Sequence, residues 1–119
     1  MAIPPTALVW SEPMDPSDVI DYVVDCTSLL DEGEFVSSYT VVPYSEATLL
    51  GLTIGTGAQA PALISGTKIR VWLSVSASYV DNAAFSGSGA TLPIQLTINT
   101  SSSPSRRKQR TLVVKVVQR

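Results

Sequence analysis

The chain has 119 residues, 45% hydrophobic and 15% charged, with a net charge of −2. That length gives one domain able to bury a modest core without disulfides or metal, and the composition is too apolar for a disordered chain and too interrupted for a membrane protein. Histidine is absent and Cys26 is the single cysteine, which excludes an internal disulfide, Ser-His-Asp and Cys-His catalysis, His-containing zinc sites and the ordinary near-neutral proton switch.

Period-two alternation recurs along the chain, and no stretch of eleven residues carries a 3.6-residue stripe, so strands dominate the expectation. Residues 6–10 follow Pro4-Pro5 and precede Glu12-Pro13-Met14-Asp15-Pro16. Prolines at both ends predict an edge strand or an arm lying on a neighbour. Residues 19–26 place Ile20, Tyr22, Val24 and Cys26 on one face, opposite Asp21, Val23 and Asp25, which predicts one core face and one wet face. A brief helical turn and a bulge are both open at residues 28–30. Asp31 to Glu34 reads as a turn, residues 35–42 as a third strand rich in β-branched and aromatic types, and residues 47–54 as a fourth, ended by Gly55-Thr56-Gly57. A short segment at 60–64 leads to a strand at 68–76, with Ile69, Val71, Leu73 and Val75 inward and Lys68, Arg70, Trp72 and Ser74 outward. An excursion over 77–92 carries a flexible Ser-Gly-Ser-Gly-Ala tip at 86–90. Residues 93–100 form a strand with Ile94, Leu96 and Ile98 inward. A polar, basic hairpin connection at 101–110 then leads to the closing strand at 111–117, with Leu112, Val114 and Val116 inward. No internal repeat is visible, which argues against a propeller or solenoid. The pattern predicts an all-β fold, an immunoglobulin-like antiparallel β-sandwich of about seven strands, without the Cys, Trp, Cys hallmark of antibody domains. Residues 1–13 form an N-terminal arm or edge strand and residues 14–119 the single domain. The apolar runs are strand-length, far short of the roughly 20 residues of a membrane helix. The Met1 to Pro5 segment has no basic or apolar leader character, which predicts synthesis in a cytoplasm.

Charge is distributed unevenly. Residues 1–60 hold Glu12, Asp15, Asp18, Asp21, Asp25, Asp31, Glu32, Glu34 and Glu46 with no basic side chain, whereas all eight basic side chains lie in residues 61–119 beside the lone acid Asp81. Two readings follow: pairing of the halves across neighbouring strands, or opposite-signed ends that orient subunits in a ring. Asp21 and Asp25 stand about 13 Å apart on one strand, too far to share a metal directly. Asp15 and Asp18 suit turn capping; a calcium ion held with backbone carbonyls is the minor alternative, and the spacing of an EF-hand is absent. Cys26 ends a strand on its apolar face and reads as a small buried hydrophobe. Arg106-Arg107-Lys108-Gln109-Arg110 lacks interleaved aromatics, so a solvated hairpin tip ranks first, contact with an acidic neighbour second and nucleic acid last. Gly51, Gly55 and Gly57 lack the lysine and helix of a phosphate loop. Trp72, on the outer face, is either a contact residue or covered by a loop.

Several blocks in order carry a resemblance: Asp15-Pro16-Ser17-Asp18-Val19-Ile20-Asp21-Tyr22 with Asp25 and Leu30 behind it, Glu32-Gly33-Glu34, Val71-Trp72-Leu73-Ser74, and the closing hairpin between residues 97 and 116. They resemble small tailed-phage proteins known as fibre-tail adaptors. The pattern of that family runs roughly D-P-x-(D/E)-V-x-D-Y-x-x-D-W, then a leucine and an acidic-glycine turn, then V-W-L-S-G-G, then a strand pair joined by a polar turn with Gly and Arg. Here Cys26 stands where the family usually has tryptophan and Val75-Ser76 replace Gly-Gly. Residues 77–92 look like an insertion, and the 101–110 loop is longer and more basic. These departures sit at strand ends and loops, so they bear on the partner more than on the fold. The resemblance implies a virion component made in the host cytoplasm, an adaptor linking tail or neck to receptor-binding fibres through protein contacts, in a homo-oligomeric ring. Capsid decoration or head-fibre anchoring is the structural alternative. A host-glycan module, which would use Trp72, Tyr79 and Phe85, is the other. No catalytic residue, metal, cofactor, small-molecule substrate or membrane contact is expected. The partner contacts expected are Ile3, Leu8 and Trp10 in the arm, lying along a neighbour's sheet edge, Trp72, and Arg106, Arg107, Lys108 and Arg110, meeting an acidic surface such as the 31–34 turn of the next copy.

Overall fold

The structure, a computed structural model, describes Ile3 and residues 7–119. Two sheets pack face to face. One has the order β1-β8-β7-β3, built from β1 (Leu8–Val9), β8 (Arg107–Val116), β7 (Ala90–Thr100) and β3 (Val36–Pro43). The other has the order β2-β6-β4, from β2 (Val19–Asp25), β6 (Lys68–Val75) and β4 (Leu52–Ile54), with β5 (Ala62–Ser65) also on β6. β4 pairs with the end of β6 from Leu73 to Val75 and β5 with its start from Lys68 to Arg70, so the two short strands share one edge. The all-β sandwich expected from the alternation is what the chain forms.

The alternation decides which side chains meet. On β6, Ile69, Val71, Leu73 and Val75 are buried; on β7, Leu92, Ile94, Leu96 and Ile98; on β8, Leu112, Val114 and Val116. Ile94 lies opposite Leu112 and Leu92 opposite Val114, so branched side chains on neighbouring strands form one layer of the core. Tyr22, Val24 and Cys26 reach it from β2 and beyond, as the alternation predicts. Pro93 sits inside a central strand because β3 has run out beside it: the ladder ends with Pro43 opposite Ile94, and Tyr44 N–H donates to the Pro93 carbonyl at 3.1 Å. The N–H that proline lacks would face the Tyr44 carbonyl, which accepts instead from the Ala47 and Thr48 N–H groups of the helical turn that follows.

Three local expectations are corrected and one open choice is resolved. Residues 47–54 are not one strand: α1 (Ser45–Thr48) makes a single helical turn that buries Ala47, and only Leu52–Ile54 is extended. An apolar run of that length is ambiguous between periods, and its Ala and Leu, with Glu46 just before it, are good helix formers. Gly51 closes this turn at φ +85, and a Cβ there would meet the Tyr79 ring at 2.7 Å, so glycine is required twice over. The closing strands are longer than expected, β7 starting at Ala90 and β8 at Arg107, so the cations Arg107, Lys108 and Arg110 belong to a strand and the hairpin tip is only 101–106. The 77–92 excursion is folded back by two 3₁₀ turns that bury Phe85 completely, with the Phe85 carbonyl accepting from Gln118 N–H at 2.7 Å. The open choice at 28–30 resolves as a 3₁₀ turn over Thr27–Leu29, preceded by Asp25, whose carboxylate accepts from the Thr27 N–H at 3.0 Å and hydroxyl at 2.6 Å.

Candidate interaction surfaces

The N-terminal segment lies on its own sheet. β1 runs parallel to β8 with Leu8 opposite Leu112 and Val9 opposite Val113, and the same course continues to an isolated bridge between Met14 and Val116. Trp10 N–H donates to the Val113 carbonyl at 3.1 Å and Met14 N–H to that of Lys115 at 2.9 Å. The Trp10 ring stacks on Tyr22 with centroids 4.8 Å apart, and its indole N–H donates to the Val23 carbonyl at 3.0 Å, closing the sandwich from the β8 side to the β2 side. Of the two readings of residues 6–10, the edge strand is what forms: β1 makes two residue pairs with β8, and its hydrogen bonds are found within the chain. Ile3 is exposed, and the rest of the segment before Ala7 lies outside the described residues. Leu8, Val9 and Trp10 line one wall of a groove of about 220 Å³, with Val23, Val24, Asp25 and Leu112 on the other.

Arg106 is also engaged at home. Its guanidinium pairs with Glu34 and, at 3.0 Å, with Asp31, and the Glu34 side chain is only 4% exposed. Glu34 also accepts the Asp31 backbone N–H at 2.9 Å. That bond first, then the Ser102 hydroxyl, the Arg106 guanidinium and the Thr100 hydroxyl, hold the Glu34 pKa down to about 2. The contact predicted between copies is made inside one copy, because the 101–106 tip folds back over the 31–34 turn; beside it lies a cleft of about 490 Å³ lined by residues 31–35, Ser101 and Ser102. Arg107, Lys108 and Arg110 make no ion pair among the described residues. Lys108 stands opposite Ile98 and Arg110 opposite Leu96, on the core-facing side of β8 at its rim, and both are half-buried.

Trp72 is half-buried on the outer face of β6, opposite Asp21, beside the 3.2 Å ion pair of Arg70 with Asp21. That pair is one instance of charge pairing across neighbouring strands. With Phe85 buried, the exposed aromatic set required for a glycan surface is incomplete, leaving Tyr79 exposed and Trp72 half-covered.

The acidic residues at the start of β2 act as turn caps. Asp15 accepts from Ser17 N–H at 2.8 Å and Arg119 N–H at 2.8 Å, and Asp18 accepts from Asp15 N–H at 2.9 Å. The Ser17 and Arg119 N–H groups lower the Asp15 pKa. Among the described residues no group of three or more metal-ligating side chains comes together. Burial, then the Asp25 charge, pushes the Cys26 thiol up to about 11, so the thiolate is scarce at neutral pH.

One surface escaped the sequence reading. From Phe35 to Thr67 the only charged side chain is Glu46, and this segment exposes Phe35, Val42, Leu49, Leu63 and Ile64. The signal was a gap in charge rather than a motif. No family model matches the chain, and no curated protein matches it.

Proposed function

We propose that this chain is a structural protein of a tailed-phage virion, an adaptor that joins the tail or neck to receptor-binding fibres by protein contacts. One observation carries the reading: the residues behind the family resemblance are the framework of the sandwich. Asp15 and Asp18 cap the turn into β2, and Tyr22 stacks on Trp10 and donates to the Glu12 carbonyl at 2.9 Å. Glu34 anchors the 31–34 turn to Arg106, and Val71 and Leu73 are buried on β6. A resemblance made of framework residues supports a shared scaffold and leaves the partner-facing surfaces free to differ. The scaffold belongs to the proposal in its finer form too: strands β8, β7 and β3 facing β2, β6 and β4, with β1 parallel to β8, support an immunoglobulin-like connection order.

The mechanism is surface complementarity. Arg107, Lys108 and Arg110 lie along a stretch of β8 that β1 leaves uncovered, and they offer positive charge to an extended acidic segment of a partner. Cross-linking mass spectrometry of purified virions through Lys68, Lys108 and Lys115 tests the reading. Links to tail or neck proteins and to a fibre are expected. Links to the major capsid protein alone would replace the adaptor by a decoration protein, and absence from the virion would end the proposal.

A further inference from the structure

The sandwich has several strand edges, and most carry a device against self-association. β2 bears Asp21 and Asp25, and the uncovered part of β8 bears Arg107, Lys108 and Arg110, so a two-fold pairing of either edge with its own copy sets like charges side by side. β4 and β5 have only three and four residues, and β5 is bulged between Leu63 and Ser65. β3 is different. It has eight residues, none charged, and pairs only with β7. Its one bulge lies at the Val36 end, which leaves Ser38 to Val42 regular.

The register tells which peptide groups face outward. Antiparallel ladders alternate between hydrogen-bonded and non-hydrogen-bonded pairs. The bond from Tyr44 N–H to the Pro93 carbonyl fixes the phase, so Val42 and Thr40, opposite Gln95 and Thr97, turn their peptide groups to β7. Tyr39 and Val41, opposite Ile98 and Leu96, turn theirs to the open edge. No other backbone partner reaches residues 37–42 among the described residues.

We propose that β3 is a self-pairing edge, at which two copies of this chain join antiparallel about a two-fold axis through Thr40. In that register Tyr39 of each copy faces Val41 of the other, and the two outward-facing peptide units of each strand are satisfied by four inter-chain hydrogen bonds. Thr40 meets Thr40 as a non-hydrogen-bonded pair on the outer face, and the exposed Val42 lies across from Ser38. Aromatic beside β-branched and threonine beside threonine are favourable neighbours across strands. No charge is buried or opposed, so the strand suits its own copy better than a charged segment. The two sheets containing β3 merge into one, and the isologous contact closes on itself. This inference does not rest on the virion reading.

Sedimentation equilibrium of the full chain is expected to show a dimer. Thr40→Lys and Thr40→Asp, each placing like charges opposite one another, are expected to raise the dimer dissociation constant about tenfold or more while leaving the circular dichroism spectrum unchanged. Mixing the two variants is expected to restore the dimer, a result that misfolding cannot produce. Thr40→Cys is expected to give a covalent dimer on mild oxidation, because directly opposed non-hydrogen-bonded positions suit a disulfide. A chain that stays monomeric across its soluble range overturns the proposal. So does a dimer indifferent to both charged variants and not captured by Thr40→Cys.

Discussion

Arg106 joins the acid-rich first part of the chain to the base-rich last part, and its pairing with Glu34 fastens the 101–106 tip to the start of β3. Arg106→Ala is expected to leave the Glu34 carboxylate in place with a partner lost, lowering the thermal midpoint, whereas Arg107→Ala, at an exposed position with no ion pair among the described residues, is expected to leave it unchanged. Differential scanning of the two variants checks the contrast, and equal effects would mean the tip is held by its backbone bonds alone. Trp10 is the other single residue on which much depends, since it stacks on Tyr22 and donates to Val23. Trp10→Ala is expected to cost about 2–4 kcal/mol in urea unfolding, from lost stacking and packing and an unpaired carbonyl. These two roles were not legible in the sequence, which marked both residues as contacts for other molecules. Aromatic and cationic side chains look alike from the sequence whether their partner lies in the same chain or another; only the return of the 101–106 tip and of the 8–14 segment decides it. Cys26 was legible, because its place in the alternation put it on the core face. Denatured chain is expected to react with a thiol reagent at once, and native chain at pH 7 only as fast as it opens.

At the level of elements, the first strand is an edge strand of the domain, one of the two expectations for this segment. Its hydrogen bonds to Val113 and Lys115 and its Trp10 contact close one side of the sandwich. Deleting residues 1–12 is therefore expected to destabilise the monomer, with lower cooperativity in chemical unfolding, rather than yield a stable monomer that has lost only assembly. A truncated chain as stable as the full one would restore the view of this segment as a free arm. β2 and β6 were legible almost residue by residue, and β7 and β8 in their inward faces though not in their starts, since period two leaves no choice of face once one face is apolar. The segment between β3 and β6 was not. There Ala47-Thr48-Leu49-Leu50-Gly51-Leu52 carries apolar residues at every spacing, and a one-turn helix, two short strands and a 3₁₀ turn over Gly57–Gln59 depend on turn chemistry and on Gly51 clearing the Tyr79 ring.

Over the whole molecule the charges converge on one consequence for stability in acid. Asp15 and Asp25 are lowered below the usual carboxylate range mainly by hydrogen bonds from Ser17 and Thr27, and Glu34 is held down to about 2 by the Asp31 N–H, Ser102 and Arg106. A carboxyl whose folded pKa lies below its unfolded value contributes stability that is complete above the unfolded value and is lost as pH falls through the folded one. For Glu34 that window runs from its ordinary value of 4.5 down to about 2. The folded state, binding fewer protons than the unfolded chain over this range, is expected to lose stability steadily on acidification. Glu34→Gln removes one titrating group from the window, so its urea midpoint is expected to lie below that of the parent at pH 6 and to converge on it towards pH 2. Parallel curves for the two proteins would mean that Glu34 titrates normally and that Asp15 and Asp25 carry the acid dependence. Above neutrality the opposite sign applies. Tyr22, pushed up to about 12 by burial and then by the Glu12 and Asp18 charges, keeps its proton longer folded than unfolded. Stability from that source is complete below about pH 10 and is lost as pH rises towards 12, which places the widest stable range of this histidine-free chain between the two limbs.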